Sequence, residues 1–565
     1  MSHIKLISVA EPKDPEGRIT KFPYAFPIIV RELGKTNHSF DVIDTHLHKV
    51  SFEDLLKSVK KNESKVYGIS AWSHQYLQVK YLIEEIKNHN KEAIVILGGI
   101  ITGNEDVLLN NTLVDIISTG ADGEFILPEI LDALENGWNY LSEVKGIAYK
   151  NYEKSSVIKT GLRATQSKVD FQNQEWPDYE YFSKEVHELV EYINSYTDVP
   201  VKGFPILTAR GCPFACTYCG HLYGSKFLRK NWDAWFDQVE HLINNYNVQG
   251  IYSHDTNLFL REAEVDEYCR IYKERNCNFK IVSELRPTFG DYNLYKKMYD
   301  HGVEVSTFGF ESGSEEILRR MKRPMQKMDE TRERLKQYMD TDMRVFGNFI
   351  CGTPGESIKT LNETKVFMTE VVKWSLEQKI RLRKTNRLGT SGPSWTVFLP
   401  SPPSELYDLA VRDGLIRDEE AYLISLSDES NMQTLKGSKH KIALAREASH
   451  TVNMSTFSSK QALTYYVKYI WHYSHCFGNI FGCKETLKNR WIISKSFFEF
   501  NKYYILFLMT WMIDIIKGRK GYIPEEGAIT KGNYLKKRDE FDAAGLDDKQ
   551  NEDLEKEIRL QNDGI

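Results

Sequence analysis

Arg210-Gly211-Cys212-Pro213-Phe214-Ala215-Cys216-Thr217-Tyr218-Cys219-Gly220 is the one stretch of this 565-residue chain where cysteines crowd together. It directly follows Pro205-Ile206-Leu207-Thr208, an apolar run that reads as a strand. Three thiolates on one loop can hold three irons of a four-iron cluster and leave the fourth iron open to a substrate or cofactor. Four protein thiolates would instead close the cluster for electron transfer. Cys212, Cys216 and Cys219 are therefore the candidate metal ligands. A zinc site is the rival reading, but no fourth Cys or His stands at the usual spacing; the nearest, His221, lies two residues past Cys219. No cysteine precedes Cys212, and Cys269, Cys277, Cys351, Cys476 and Cys483 are dispersed. Such usage points to metal or redox chemistry and away from a disulfide framework.

On either side of the triplet the chain alternates short apolar runs with amphipathic stretches. Downstream, Gly250–Ser253, Phe279–Val282, Val303–Gly309 and Arg344–Ile350 read as further strands separated by helices. That pattern suits a complete or partial βα barrel with its chemistry at the C-terminal rim. Upstream, Ile4–Val9, Phe40–Asp44, Val66–Ser70, Ala93–Gly99 and Val114–Ser118 alternate with helical candidates Phe52–Lys60, Gln75–Asn88 and Glu124–Glu135. This predicts a doubly wound, Rossmann-like parallel sheet whose ligands lie beyond the strands' carboxyl ends. Gly98, Gly99, Gly103, Gly120 and Gly123 fall at those ends, where they either admit a ligand or merely make βα turns. Residues 161–200 lack periodicity and read as a linker. The expected units are thus 1–160, the linker 161–200, a barrel over 201–424, and a mainly helical part over 425–565 with a charged tail. Length alone predicts about three or four domains.

Composition narrows the function classes. Hydrophobic residues at 41% supply more than one core and exclude a disordered chain. With 74 Lys plus Arg against 79 Asp plus Glu, the net charge of −5 offers no broad footprint for nucleic acid. The opening Met-Ser-His-Ile-Lys has no secretory pattern, so a reducing, cytoplasmic location is expected. The uncharged run Tyr503–Ile513 is shorter than the roughly 20 residues a spanning helix needs. Residues 491–516 read as a capping or dimer helix, with interfacial membrane contact as the lesser alternative.

The spacing Cys-x3-Cys-x2-Cys, with Tyr218 before the third cysteine, resembles that of the radical S-adenosylmethionine (SAM) superfamily. Further segments are similar at matching distances. Ser253-His254-Asp255-Thr256-Asn257 ends a strand where family members place polar groups near the SAM amino group. Ser283-Glu284-Leu285-Arg286 ends another, near the SAM ribose and carboxylate. Gly309-Phe310-Glu311-Ser312-Gly313 resembles the family's Gly-Ile-Glu-Ser-Gly, and Gly352-Thr353-Pro354-Gly355-Glu356 its Gly-x-Pro-Gly-Glu. The resemblance implies a [4Fe-4S] cluster on the three cysteines. It implies SAM contacts at Tyr218, Asp255, Glu284, Arg286, Glu311 and Ser312.

Read with this barrel, the first unit resembles the cobalamin-binding domain of B12-dependent radical SAM proteins. Ser70, Gly98 and Gly99 match residues that pack on the cobalamin nucleotide tail, and Trp72, Gly120 and Glu124 fall on the same edge. The Asp-x-His-x-x-Gly motif of His-ligated cobalamin enzymes departs here. The loop Ala10–Gly17 after the first strand holds no histidine, and Asp44-Thr45-His46-Leu47-His48 only imitates the motif after the second. No lower histidine ligand is implied, and Trp72 or His74 should lie nearest the corrin's lower face. The cysteine-free N-terminal unit also sets the chain apart from methylthiotransferases, which carry a second cluster there.

By resemblance, one SAM yields a 5′-deoxyadenosyl radical that activates an unactivated carbon, and cobalamin relays a methyl group from a second SAM. This implies a methyltransferase acting on a natural product, peptide or lipid, supplied with electrons by a flavodoxin or ferredoxin. Cobalamin-assisted rearrangement or cyclisation without net methylation is the alternative enzyme reading. A non-catalytic cobalamin sensor is the alternative from another class.

Overall fold

The computed structural model describes residues 2–9, 22–61, 64–190, 193–194, 201–220, 223–224, 226–382, 394–431 and 454. The segment 491–516 and most of the expected helical part lie outside the described residues. No helix among the described residues is long and apolar enough to cross a membrane.

The N-terminal strands are β1 (His3–Ser8), β2 (Ser39–Asp44), β3 (Val66–Ser70), β4 (Ile94–Gly98), β5 (Ile116–Ser118), β6 (Ile147–Asn151) and β7 (Ser156–Lys159). They pair in the order β2-β1-β3-β4-β5-β6-β7, parallel as far as β5 and antiparallel beyond it. Strands β1, β3 and β4 are buried along most of their length because helices cover both sheet faces. On one side lie α1 (Ala25–Leu33) and α5 (Gly123–Asn136); on the other lie α2 (Phe52–Lys60), α3 (Tyr76–His89) and α4 (Glu105–Asn111). Parallel register brings Ser8, Asp44, Ser70 and Gly98 into one row at the carboxyl edge. This is the doubly wound sheet that the sequence predicts.

The stretch expected to be a linker is in part built structure. It contains α6 (Lys168–Asn173) and α7 (Ser183–Val190), and Tyr179, Phe182, Val186 and Val190 are buried. Phe22 packs on Phe182 and Phe204 at ring-centre distances of 6.1 and 5.1 Å, so one apolar core runs from the first sheet through this connection into the barrel. Two short helices around Trp176-Pro177 leave too brief a pattern for periodicity to register.

The barrel sheet contains β8 (Ile193–Asn194), β9 (Val201–Ile206), β12 (Gly250–Ser253), β13 (Lys280–Leu285), β14 (Val303–Glu311), β15 (Arg344–Cys351) and β16 (Ser394–Val397). Between β9 and β12 in the chain comes a separate ribbon of β10 (Ala209–Gly211) and β11 (Phe227–Arg229). Sheet order is β16-β15-β14-β13-β12-β9-β8, with six parallel strands and β8 antiparallel at one edge. The sheet therefore stays open among the described residues, a partial barrel. Helices α8 (Trp232–Tyr246), α9 (Glu262–Glu274), α10 (Tyr292–Asp300), α11 (Glu315–Met321), α12 (Met328–Asp340) and α13 (Ile358–Leu382) follow its strands.

Two last helices, α14 (Glu405–Arg412) and α15 (Glu419–Asn431), close the junction of sheet and barrel. Leu423 joins the core of the N-terminal domain. Glu420 accepts hydrogen bonds from Tyr76 (2.7 Å) and Lys80 (2.6 Å), and Asn104 donates to the Tyr407 hydroxyl at 2.6 Å.

Candidate cofactor sites at the domain junction

The cysteine loop is a closed excursion whose base is the β10–β11 ribbon. Gly211, at φ 76°, pairs with Phe227, and a Cβ there would sit 2.1 Å from the Lys226 carbonyl. Farther out, Ala215 N–H donates to the Arg323 carbonyl (3.2 Å), Thr217 N–H to that of Met321 (3.0 Å), and Leu406 N–H to that of Thr217 (3.1 Å). Cys216 is buried, Cys212 half-buried and Cys219 exposed, and none of the three is in a disulfide. Burial raises the Cys212 thiol; burial, then the neighbouring Cys216, pushes Cys219 up to about 12 against the opposing pull of Lys322. The Asn257 amide donates to Cys212 Sγ at 3.7 Å. Among the described residues no three Cys, His, Asp or Glu side chains converge as a single-ion site. Three soft donors on one pinned loop, with an amide aimed at one sulfur, fit a cluster of several irons.

Around this loop the barrel strands deliver the other expected residues, in unequal roles. Tyr218 donates to Glu311 Oε1 at 2.7 Å, and Lys322 Nζ lies 3.0 Å from the same oxygen. Glu311 adopts φ 59° at a β14 bulge, and its carboxylate folds back over Gly309, where a Cβ would lie 2.2 Å from it. Burial works against the Lys322 ammonium, but Glu311 and Cys216 more than offset this and raise its pKa. Arg286 stacks 4.2 Å from the Phe214 ring centre within the cysteine loop and donates to the Pro324 carbonyl. The Glu284 side chain is accessible yet recessed, and desolvation, then Asp255, raises its carboxyl to about 7.

Asp255 and Ser312 stand beneath this surface. Asp255 is 1% exposed; its carboxylate accepts from Thr208 N–H (2.7 Å), Thr208 Oγ1 (2.8 Å) and Ala209 N–H (2.7 Å), which ties down the strand end before the cysteines. Ser312 is fully buried and pairs with Thr364 Oγ1 at 3.0 Å. Both brace the rim from below.

On the facing edge of the N-terminal sheet, Ser70 and Gly98 are register partners. Gly99 has φ 91°, and a Cβ there would meet Ala71 O at 2.4 Å and Ala71 N at 2.8 Å; at Gly98 nothing lies nearer than 3.9 Å. Trp72 projects beside this edge, 59% exposed. An accessible row of small residues with open space above Gly98 fits a large planar cofactor. The contrast is testable. Gly99→Ala should destabilise the domain by about 2–5 kcal/mol, from a Gly-only backbone conformation plus a backbone clash. Gly98→Leu should leave thermal unfolding within about 1 kcal/mol but weaken cobalamin binding in equilibrium titration. Unchanged cobalamin affinity in Gly98→Leu would remove this edge from the site.

Other residues expected on that edge are used differently. Gly120 packs against Gly146 and Ile126. Glu124 is buried and bonded to Arg210 Nη2 at 2.5 Å, while Asp122, left-handed at φ 64°, takes Arg210 Nη1 at 2.7 Å and the Tyr223 hydroxyl at 3.0 Å. Glu124 is thus a domain-joining group rather than an open ligand contact. The turn after β2 also serves itself: Asp44 Oδ1 accepts from His46 and Leu47 N–H, and His48 Nδ1 accepts from Asp44 N–H.

Three functional neighbours carry no sequence signal of their own. Arg210, two residues before Cys212, joins the two domains, and Lys322 reaches the cysteine loop from the segment after α11. Tyr24, at the start of α1, places its ring 5.5 Å from His254 at the barrel mouth. The Tyr24 hydroxyl is buried without a hydrogen bond among the described residues.

Residues 206–368 match the radical SAM superfamily model and residues 23–126 the B12-binding domain model. The chain carries a B12-binding domain followed by a radical SAM domain. It is 23% identical to an uncharacterised methyltransferase of Pyrococcus horikoshii, over 68% of this chain and 77% of that one. It is 24% identical to the cytidylyl-2-hydroxyethylphosphonate methyltransferase of Streptomyces wedmorensis, over 66% and 71%. Among solved structures, the cobalamin-dependent SAM radical enzyme OxsB, with aqua-cobalamin and SAM bound, superposes with a TM-score of 0.59 at 14% identity. That match covers 96% of this chain and 84% of OxsB, a likeness of fold. The two matched domain types set the cofactors of this radical SAM enzyme as a [4Fe-4S] cluster, SAM and cobalamin.

Proposed function

We propose that this radical SAM protein transfers a methyl group from SAM to an unactivated carbon of a small organic molecule, a natural product, peptide or lipid. One observation carries the reading: Arg210 fastens the β5–α5 turn of the B12-binding domain onto β10, the strand that leads into Cys212. Two cofactor edges thereby face one mouth. The methyltransferase names of both relatives support it. In this reading residues 1–160 form the cobalamin unit, 201–424 the radical unit, and an electron donor of flavodoxin or ferredoxin type serves them.

When bound, the cluster with SAM supplies one-electron radical initiation and cobalamin supplies methyl relay; the protein orients them and excludes competing reactions. Cys212, Cys216 and Cys219 hold the cluster. Arg286 and the accessible Glu284 face the SAM polar groups, Tyr218 and Lys322 are held in place by Glu311, and Asp255 and Ser312 brace them. Ser70, Trp72, Gly98 and Gly99 line the cobalamin side. Tyr24 and His254 close the mouth between the two.

Turnover with deuteromethyl-SAM and a panel of small molecules and peptides tests this. A methylase yields matched 5′-deoxyadenosine and S-adenosylhomocysteine, with the label in the product. Deoxyadenosine with neither S-adenosylhomocysteine nor transferred label would move the assignment to rearrangement or cyclisation.

A further inference from the structure

Below the strand that leads to Cys212 lies a cavity with no part in this chemistry. Its walls come from α1 (Ile28 and Arg31), from Phe171 and Trp176 of the connection, and from Arg210 and Lys230 at the barrel's edge. The free space, open at its mouth, is about 30 Å³, room for one small, compact group little larger than a water. Three cations share this wall, and two of them have partners. Arg31 Nε lies 2.8 Å from Glu32, and Arg210 is held by Asp122 and Glu124.

Lys230 is left over. It is 9% exposed, and no carboxylate among the described residues comes within ion-pair distance of its ammonium, which sits 5.5 Å from the Phe171 ring centre. Burial first, then Arg31 and Arg210, push its pKa down to about 8. Glu175 alone pulls the other way, and that carboxylate is exposed and paired with Lys35 at 3.0 Å. On the same wall Arg31, 8% exposed, keeps Nη2 buried with no acceptor. A buried cation and a buried guanidinium N–H, both lacking an acceptor, are costly unless something else fills that role. We infer that the cavity binds a small oxyanion of the phosphate class between Lys230 Nζ and Arg31 Nη2. Because Arg210 shares the wall, the anion would also bear on the junction between the two domains.

The full chain without cofactors suffices to test this, so the result is independent of the proposed chemistry. Inorganic phosphate titrated calorimetrically into protein in phosphate-free buffer should show one saturable site. Lys230→Met should weaken it at least tenfold, while Lys57→Met, an exposed lysine on α2, should not change it. Absence of a saturable site, or equal affinity in Lys230→Met, would overturn the inference. A second measurement needs no variant: saturating phosphate should slow acetylation of Lys230 by acetic anhydride several-fold, read by peptide mass spectrometry. Undiminished acetylation of Lys230 would overturn it equally.

Discussion

Changing Cys212, Cys216 and Cys219 together to alanine should take anaerobically reconstituted protein from about four irons per chain to background. The effect should be near-total because the three thiols are the candidate donors on one loop, and that loop is fixed by backbone bonds to Arg323, Met321 and Leu406 rather than by the cysteines. The variant should therefore fold and simply fail to load. The chain supplies its own control: Cys269 is buried in α9 with its thiol pushed up to about 12 by desolvation. Cys269 stands on α9, outside the cysteine loop, with its thiol turned to the Lys297 carbonyl, so Cys269→Ala should keep all its iron. Unchanged iron in the triple variant would end the cluster assignment.

Arg210→Leu should lower the stability of the folded chain by about 3–5 kcal/mol, because it strands two carboxylates in a buried site. The Arg210 side chain is 11% accessible, Asp122 1% and Glu124 7%, so water cannot replace the lost partner at either acid. Removing all three charges in Arg210→Leu/Asp122→Asn/Glu124→Gln should recover much of the loss, and urea unfolding would show the coupling. If Arg210→Leu costs under about 1 kcal/mol, or the triple variant is worse than the single one, the network does not hold the junction.

These two predictions differ in how far the sequence foretells them. The cysteine loop is legible because ligand spacing is local, and the strands of both sheets are legible because a parallel strand buried on both faces is a continuous apolar run, as in Val66–Ser70. The Arg210 network is not: Asp122 and Glu124 stand more than eighty positions before their partner, and no local pattern announces such a pair. For the same reason Glu124 and Asp255 look like open ligand contacts in sequence, yet each is consumed by a partner, Arg210 in one case and the Thr208–Ala209 backbone in the other. The β10–β11 ribbon has three-residue strands, too short for alternation to show. Helix α1 is nine residues long with Pro27 in its first turn, which reads as a break although that position tolerates proline.

Omitting cobalamin separates the two cofactors' work most directly. Chain reconstituted with iron and sulfide alone, then reduced and given SAM, should still release 5′-deoxyadenosine but no S-adenosylhomocysteine. Adding cobalamin should restore S-adenosylhomocysteine, to about one per bound cobalamin before any substrate is supplied. Equal S-adenosylhomocysteine with and without cobalamin would contradict a methyl route through the N-terminal domain.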